Sequence, residues 1–346
     1  MTGKIKILVV DDSAFMRLLI SDLLSKDKEL EVIGSASNGK EAVEKARELK
    51  PDVILMDINM DEYDGLYAVE HIMKANPIPI VILSSVGNTN LDVVFDALRL
   101  GAVDYINKPQ KGGSKIREIN VEILAMVKRV ARAKPRPTPI ESDGLSKLPH
   151  TFDSEARFHV IVIGASTGGP SALEKVITSL PANLNVPVLI CQHMPPNFIL
   201  SFADRLDALS SLKVVVGKRG MVPQPGMVII APGNANMVVM KDGKGEKVKI
   251  GFSKEEYKEY NNPSINALME SVAECYGEKA IGVLLTGMGR DGVKGMKMIR
   301  NNGGITIAQD ESSSIIYGMP KIAFETGAAE KVMHIKEIGG YLVNCL

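Results

Sequence analysis

Net charge, cysteine and long apolar runs are all scarce in this chain. Lys+Arg and Asp+Glu each number 41, so the formal net charge at pH 7 is zero. Without a basic excess, a broad footprint for nucleic acid or an anionic membrane is disfavoured. The cysteines are Cys191, Cys275 and Cys345. An odd trio without short metal-type spacing argues against a disulfide framework or a zinc site and fits a reducing cytoplasm. No apolar stretch approaches the ~20 residues needed to span a bilayer. The N-terminus runs from Ile5-Lys6-Ile7-Leu8-Val9-Val10 straight into Asp11-Asp12, without the pattern of a signal peptide. The expected location is therefore cytoplasmic, with any membrane association made through a partner.

What is present is a soluble α/β pattern, with 45% hydrophobic residues in a chain of 346. That length exceeds one ordinary core and suggests two domains. Short buried strands are predicted at 5–10, 31–35, 53–56, 78–83 and 103–106, with helical spacing at 14–24, 40–49, 66–74, 91–100 and 116–132. This alternation implies a doubly wound parallel sheet over residues 1–133, with functional loops at the carboxyl ends of its strands. Residues 134–157 begin Lys134-Pro135-Arg136-Pro137-Thr138-Pro139, lack periodicity, and read as an extended linker. A second doubly wound, Rossmann-like α/β domain is expected over 158–346. Its strands fall at 160–163, 186–191, 213–216, 227–231, 238–240, 248–251, 281–285 and 305–308, its helices at 171–179, 199–209, 265–276 and 292–301. The stretch 214–253 is rich in short strands and is expected to be partly antiparallel.

Two groups of strand ends carry chemistry. In the first domain, Asp11-Asp12 end the first strand, Asp57 the third and Ser84 the fourth, and Lys108 follows the fifth. Carboxylates converging in one cleft repel unless a cation is bound, and oxygen ligands suit Mg²⁺. Lys108 offers a compact charge to a phosphoryl oxygen, and Ser84 a hydroxyl donor. In the second domain, Gly164-Ala165-Ser166-Thr167-Gly168-Gly169 follows a strand and holds a serine between glycines. Such a turn exposes a nucleophile or cradles a phosphate. A base and an orienter are available at two further strand ends, His193 and Asp291. His71, His150, His159 and His334 lie in less suitable settings. Taken alone, His193 could be a structural hydrogen-bonder, and Asp291 could cap the helix at 292–301.

The pieces Val10-Asp11-Asp12-Ser13, Leu55-Met56-Asp57-Ile58-Asn59-Met60, Asp64-Gly65, Ser84-Ser85 and Lys108-Pro109 resemble the response-regulator receiver domain, over about residues 4–132. The resemblance implies that Asp57 accepts a phosphoryl group from a histidine kinase. It implies Mg²⁺ held by Asp11, Asp12, Asp57 and the Asn59 carbonyl, with Ser84, Lys108 and Tyr105 sensing the phosphate. Ser84 stands where Thr is commoner.

The order Ser, His, Asp departs from the Ser, Asp/Glu, His of α/β-hydrolases, although Gly164-x-Ser166-x-Gly168 fits their elbow. The motifs instead resemble the chemotaxis protein-glutamate methylesterase (CheB) family. They are Gly164-Ala165-Ser166-Thr167-Gly168-Gly169-Pro170, Gln192-His193-Met194-Pro195, Ala231-Pro232-Gly233, Leu284-Leu285-Thr286-Gly287-Met288-Gly289-x-Asp291-Gly292, Ala308-Gln309-Asp310-Glu311 and Tyr317-Gly318-Met319-Pro320. The likeness spans about residues 160–329. It implies hydrolysis of glutamate γ-methyl esters on the cytoplasmic helices of chemoreceptors, with release of methanol, and deamidation of receptor glutamines. The implied catalytic residues are Ser166, His193 and Asp291, with Thr167 and Met288 as candidates for the oxyanion hole and no cofactor for the esterase. A methylated chemoreceptor and a chemotaxis histidine kinase are the expected partners. From the two-domain layout, the unphosphorylated receiver is expected to cover part of the Ser166 cleft, and phosphorylation of Asp57 to weaken or rearrange this packing. A non-catalytic anion-binding module and a transcriptional regulator remain as rivals. The latter lacks a terminal basic helix-turn-helix signal.

Overall fold

The apolar run Ile5–Val10 becomes strand β1, and its residues 7–10 are fully buried inside a parallel sheet. A computed structural model describes residues 3–84, 91–108, 116–135, 157–243, 247–255 and 263–346. They divide into two compact units, one within 1–141 and the other within 142–346. Most of the expected linker, residues 136–156, lies outside the described residues, as do His150, Ser85 and Pro109.

In the first unit β1 is followed by α1 (Ala14–Ser25), β2 (Leu30–Ala36), α2 (Gly39–Leu49), β3 (Val53–Asp57), α3 (Gly65–Ala75), β4 (Ile80–Ser84), α4 (Leu91–Leu100), β5 (Asp104–Asn107) and α5 (Ile116–Val130). The strands lie in the order β2-β1-β3-β4-β5, every pair parallel. The order is flavodoxin-like and reverses between β1 and β3, where ligand sites of such sheets form. Three helices begin on a side-chain cap: Ser13, Asn38 and Asp64 accept from the amides of Met16, Glu41 and Tyr67. Strand β4 starts at Ile80 rather than at the expected 78. Pro79 has no amide to give the ladder and offers its carbonyl to the Ile54 amide instead.

The second unit runs β6 (Val160–Ala165), α6 (Gly169–Thr178), β7 (Val188–Gln192), α7 (Pro196–Leu209), β8 (Lys213–Val216), β9 (Met227–Ile230), β10 (Asn236–Lys241), β11 (Val248–Ser253), α8 (Ile265–Tyr276), β12 (Ala280–Leu284), α9 (Val293–Asn301), β13 (Ile305–Gln309), α10 (Met319–Glu325), β14 (Lys331–Met333) and α11 (Ile335–Asn344). Seven strands form a parallel sheet in the order β14-β13-β12-β6-β7-β9-β8. Among the described residues the antiparallel part is confined to the pair β10-β11. Within the stretch expected to be partly antiparallel, β8 and β9 instead join the main sheet in parallel. Strand β6 is buried along its whole length. The chain winds one way from β6 through β7 and the other way through β12, so the switch point opens at the carboxyl end of β6.

Candidate active site and phosphoacceptor site

Strand register places the first group. Ala165, the last residue of β6, pairs with Gln192, the last residue of β7, and Leu284 of β12 pairs with Gly164 on the other side of β6. Ser166 and His193 are therefore one step past a paired position on adjacent strands. Asp291 comes from the loop after β12, beyond the far side of β6. The His193 ring consequently meets Ser166 with its near nitrogen and Asp291 with its far one. Nδ1 lies 3.1 Å from Ser166 Oγ, and Nε2 lies 2.8 Å from Asp291 Oδ2. A carboxylate accepts only, so Nε2 carries the proton and Nδ1 presents its lone pair to the serine hydroxyl.

Asp291 is fully enclosed. Its Oδ2 also accepts from the Ile265 amide at 2.8 Å, while Oδ1 accepts from the Asn266 amide at 2.9 Å, the Gly292 amide at 3.0 Å and Ser264 Oγ at 3.2 Å. Burial pushes its pKa up, but the His193 contact and the amides of Asn266 and Ile265 outweigh burial and hold the carboxyl below its ordinary value. The sequence left open that Asp291 caps the helix after it. That helix, α9, instead has Gly292 as its N-cap and no side-chain cap bond, and Asp291 serves the amino end of α8. The capping and His193-facing roles coexist in one carboxylate.

The turn that carries Ser166 is tight. Gly168 adopts φ +76, and the Gly169 amide donates to the Ser166 carbonyl at 2.7 Å. Thr167 is buried, whereas Met288 is 42% exposed in the loop after β12. The nearby Cys191 thiol is fully buried, and burial pushes its pKa well up, so it stays protonated and offers no competing nucleophile. Two side chains that hold these turns were quoted in the sequence only as parts of motifs, without a role of their own. Gln192 Nε2 donates to the carbonyls of Ser166 and His193, both at 3.0 Å. Thr286 Oγ1 donates to the Thr167 carbonyl at 3.0 Å. A neutral side chain bonding to backbone has no chemical signature of its own. The available cues were its place inside a quoted motif and at a strand end.

The second group lies at the switch point of the first sheet. Asp11 and Asp57 are buried, Asp12 is exposed, and the three carboxylates offer oxygens within 4.8 Å of one another. Lys108 Nζ stands 2.7 Å from both Asp11 and Asp57. Burial pulls the lysine pKa down, but hydrogen bonds to the two carboxylates more than reverse this and raise it. Burial raises that of Asp57, aided by Asp11 and opposed by Lys108. One ammonium among three carboxylates leaves a local negative excess, which fits a hard divalent cation with oxygen ligands. Asn59 lies two residues past the end of β3 and its amide donates to Asp57 Oδ1 at 3.3 Å, so its carbonyl is a candidate further ligand. Ser84 is buried at the end of β4, and its carbonyl accepts from the Lys108 amide at 2.8 Å. Tyr105 is buried on β5, and burial, with Asp104 and Glu122, pushes its hydroxyl pKa well up.

A flavodoxin-like sheet with an acidic switch point, and a second parallel sheet bearing serine, histidine and aspartate in contact, together define a receiver-bearing hydrolase. The CheB methylesterase family matches residues 161–342, and the response regulator receiver domain matches residues 7–119. The protein-glutamate methylesterase/protein-glutamine glutaminase of Pyrococcus abyssi is 40% identical over 98% of this chain and 93% of its own length. The protein of the same name from Caldanaerobacter subterraneus subsp. tengcongensis is 42% identical over 99% of this chain and 97% of its own. The solved CheB methylesterase catalytic domain of Thermotoga maritima, 37% identical, superposes with a TM-score of 0.53 over 55% of this chain and 99% of that one. This chain belongs to the CheB methylesterase family and carries a response-regulator receiver domain at its N-terminal end.

Proposed function

We propose that this chain is a phosphorylation-activated protein-glutamate methylesterase and protein-glutamine glutaminase acting on the cytoplasmic helices of chemoreceptors. The observation that carries the reading is the continuous contact from Ser166 Oγ through the His193 ring to Asp291. Ser166 Oγ attacks the γ-acyl carbon while its proton passes to His193 Nδ1, and Asp291 stabilises the imidazolium that forms. Backbone amides, with those of Thr167 and Met288 as candidates, take the charge that develops on the acyl oxygen. His193 Nδ1 returns the proton to the departing methoxide, which leaves as methanol. For a glutamine the leaving group is ammonia. Water then attacks the acyl-enzyme, giving its proton to Nδ1, and glutamate and Ser166 are released.

In the receiver, Asp57 is the phosphoacceptor for a histidine kinase. Asp11, Asp12, Asp57 and the Asn59 carbonyl would hold Mg²⁺, which when bound neutralises charge on the transferring phosphoryl group. Lys108 and Ser84 then follow the new dianion, and Tyr105 packs according to their position. The unphosphorylated receiver restrains access to Ser166, and phosphorylation relieves the restraint. The domain limits 1–133 and 158–346, joined by a linker at 134–157, and a cytoplasmic location belong to the same reading. No described helix is long and apolar enough to cross a membrane.

A phosphonylating reagent separates this reading from a non-catalytic anion-binding turn. Covalent labelling at Ser166, lost in His193→Ala, is expected. Reversible anion binding without labelling would favour the binding module. A gel-shift assay disposes of the transcriptional rival, and no shift of duplex DNA is expected.

A further inference from the structure

Gln192 is the last residue of β7 and is buried, at 2% exposure. Its Nε2 donates to the Ser166 and His193 carbonyls, each at 3.0 Å. Both partners at that end are acceptors, so the amide has one workable orientation. That orientation leaves Oε1 enclosed without a hydrogen-bond partner, pressed so near the Gly169 backbone that a Cβ there would stand 2.0 Å from it. A buried acceptor left unpaired is rare enough to call for an explanation.

The explanation lies in the peptide that joins Ser166 to Thr167. Its C=O is the Ser166 carbonyl, and its N–H belongs to Thr167. In a planar trans peptide the two point in opposite directions. Fixing the carbonyl from behind, with Gln192 at 3.0 Å and the Gly169 amide at 2.7 Å, therefore fixes the direction of the Thr167 N–H. Donation to the carbonyl also polarises the peptide and strengthens its N–H as a donor. The next peptide is held the same way, because Thr286 Oγ1 donates to the Thr167 carbonyl at 3.0 Å.

We infer that Gln192 is a positioning residue: it clamps the Ser166–Thr167 peptide so that the Thr167 amide is aimed at the developing oxyanion, and it locks the His193 backbone with its second donor. The inference deepens the proposed esterase reading and rests on it. Thr286 supports the following peptide, and Gly169 leaves the space that the carboxamide occupies.

The test uses the full chain with a methylated receptor as substrate, in three variants. Gln192→Met keeps the volume and removes both donors, Gln192→Glu keeps the shape and reverses the polarity at neutral pH, and Ser166→Ala is the reference. Both Gln192 variants are expected to lower kcat about ten- to a hundredfold with KM within about twofold, because the loss falls on the transition state. Affinity for a boronate that becomes tetrahedral on Ser166 should fall by the same factor, which a purely structural defect would not produce. A variant that melts at the wild-type temperature and keeps wild-type kcat overturns the clamp. A KM rise at constant kcat overturns it as well. Should both variants misfold, the wild type decides. On boronate binding, the NMR signals of the Thr167 amide and the Gln192 side-chain amide should shift downfield together, and an unmoved Thr167 amide sinks the inference. If Ser166→Ala retains turnover, the triad reading itself has failed, an outcome distinct from failure of the clamp alone.

Discussion

Asp291 accepts a hydrogen bond from the Ile265 amide at 2.8 Å, so the carboxylate that faces His193 also caps the amino end of α8. The contact with His193 and the stability of α8 are thereby tied to one side chain. Asp291→Asn is expected to lower kcat by about four orders of magnitude, because an amide that donates to Nε2 forces the proton onto Nδ1 and removes the base. Partial loss of the cap should cost about 0.5–2 kcal/mol in urea unfolding. Steady-state assays and melts of the same sample measure both.

The same carboxylate sets a pH dependence. Its folded-state pKa lies below the ordinary 3.8, so its stabilisation is fully present above that value and disappears as pH falls through the lowered one. The stability difference between wild type and Asp291→Asn should therefore be constant near neutrality and shrink below about pH 4. A difference that grows with acid would contradict this sign.

Overpacking should strike the same contact from the strand side. A Cβ on Gly164 would stand 2.3 Å from Ile265 Cγ2 and 3.1 Å from Leu284 Cδ1. Gly164→Ala is expected to destabilise by about 1–3 kcal/mol. Because Ile265 begins the helix that holds Asp291, activity should fall as well, and thermal melts with assays would register both effects.

Much of this arrangement was legible because parallel strand ends are ordered by apolar runs. Lys213–Val216, Leu91–Leu100 and Ile265–Tyr276 are read to the residue, and Ser166, His193 and Asp291 all follow runs that periodicity finds. The last elements were not legible, for physical reasons. β14 has three residues, too few for a period. α10 has seven, with Pro320 in its first turn as the one available cue. α11 is capped by His334, an uncommon cap, and contains Gly339, where a Cβ would stand 1.9 Å from Ser179 Oγ. There packing, rather than propensity, chooses the residue.

The receiver offers a separable test. Asp12 is exposed beside buried Asp11 and Asp57. Asp12→Ala should leave stability within about 0.5 kcal/mol while slowing Mg²⁺-dependent labelling of Asp57 by a small-molecule phosphodonor. Chelation of Mg²⁺ should do the same to the wild type. Asp57→Asn should take up no phosphate at all. Phosphoprotein gels or intact-mass measurements record each case.

Restraint by the receiver predicts that a fragment from Phe158 onward hydrolyses methyl ester faster than the unphosphorylated whole chain. Equal rates would mean that phosphorylation acts by some route other than uncovering Ser166.

Methanol release from a methylated chemoreceptor, measured with and without phosphodonor and Mg²⁺, reads the gated esterase itself. The wild type should release methanol faster with phosphodonor, Asp57→Asn should show the basal rate under both conditions, and Ser166→Ala should fold yet lose nearly all turnover. Methanol release by Ser166→Ala at the wild-type rate would mean that Ser166 is not the nucleophile.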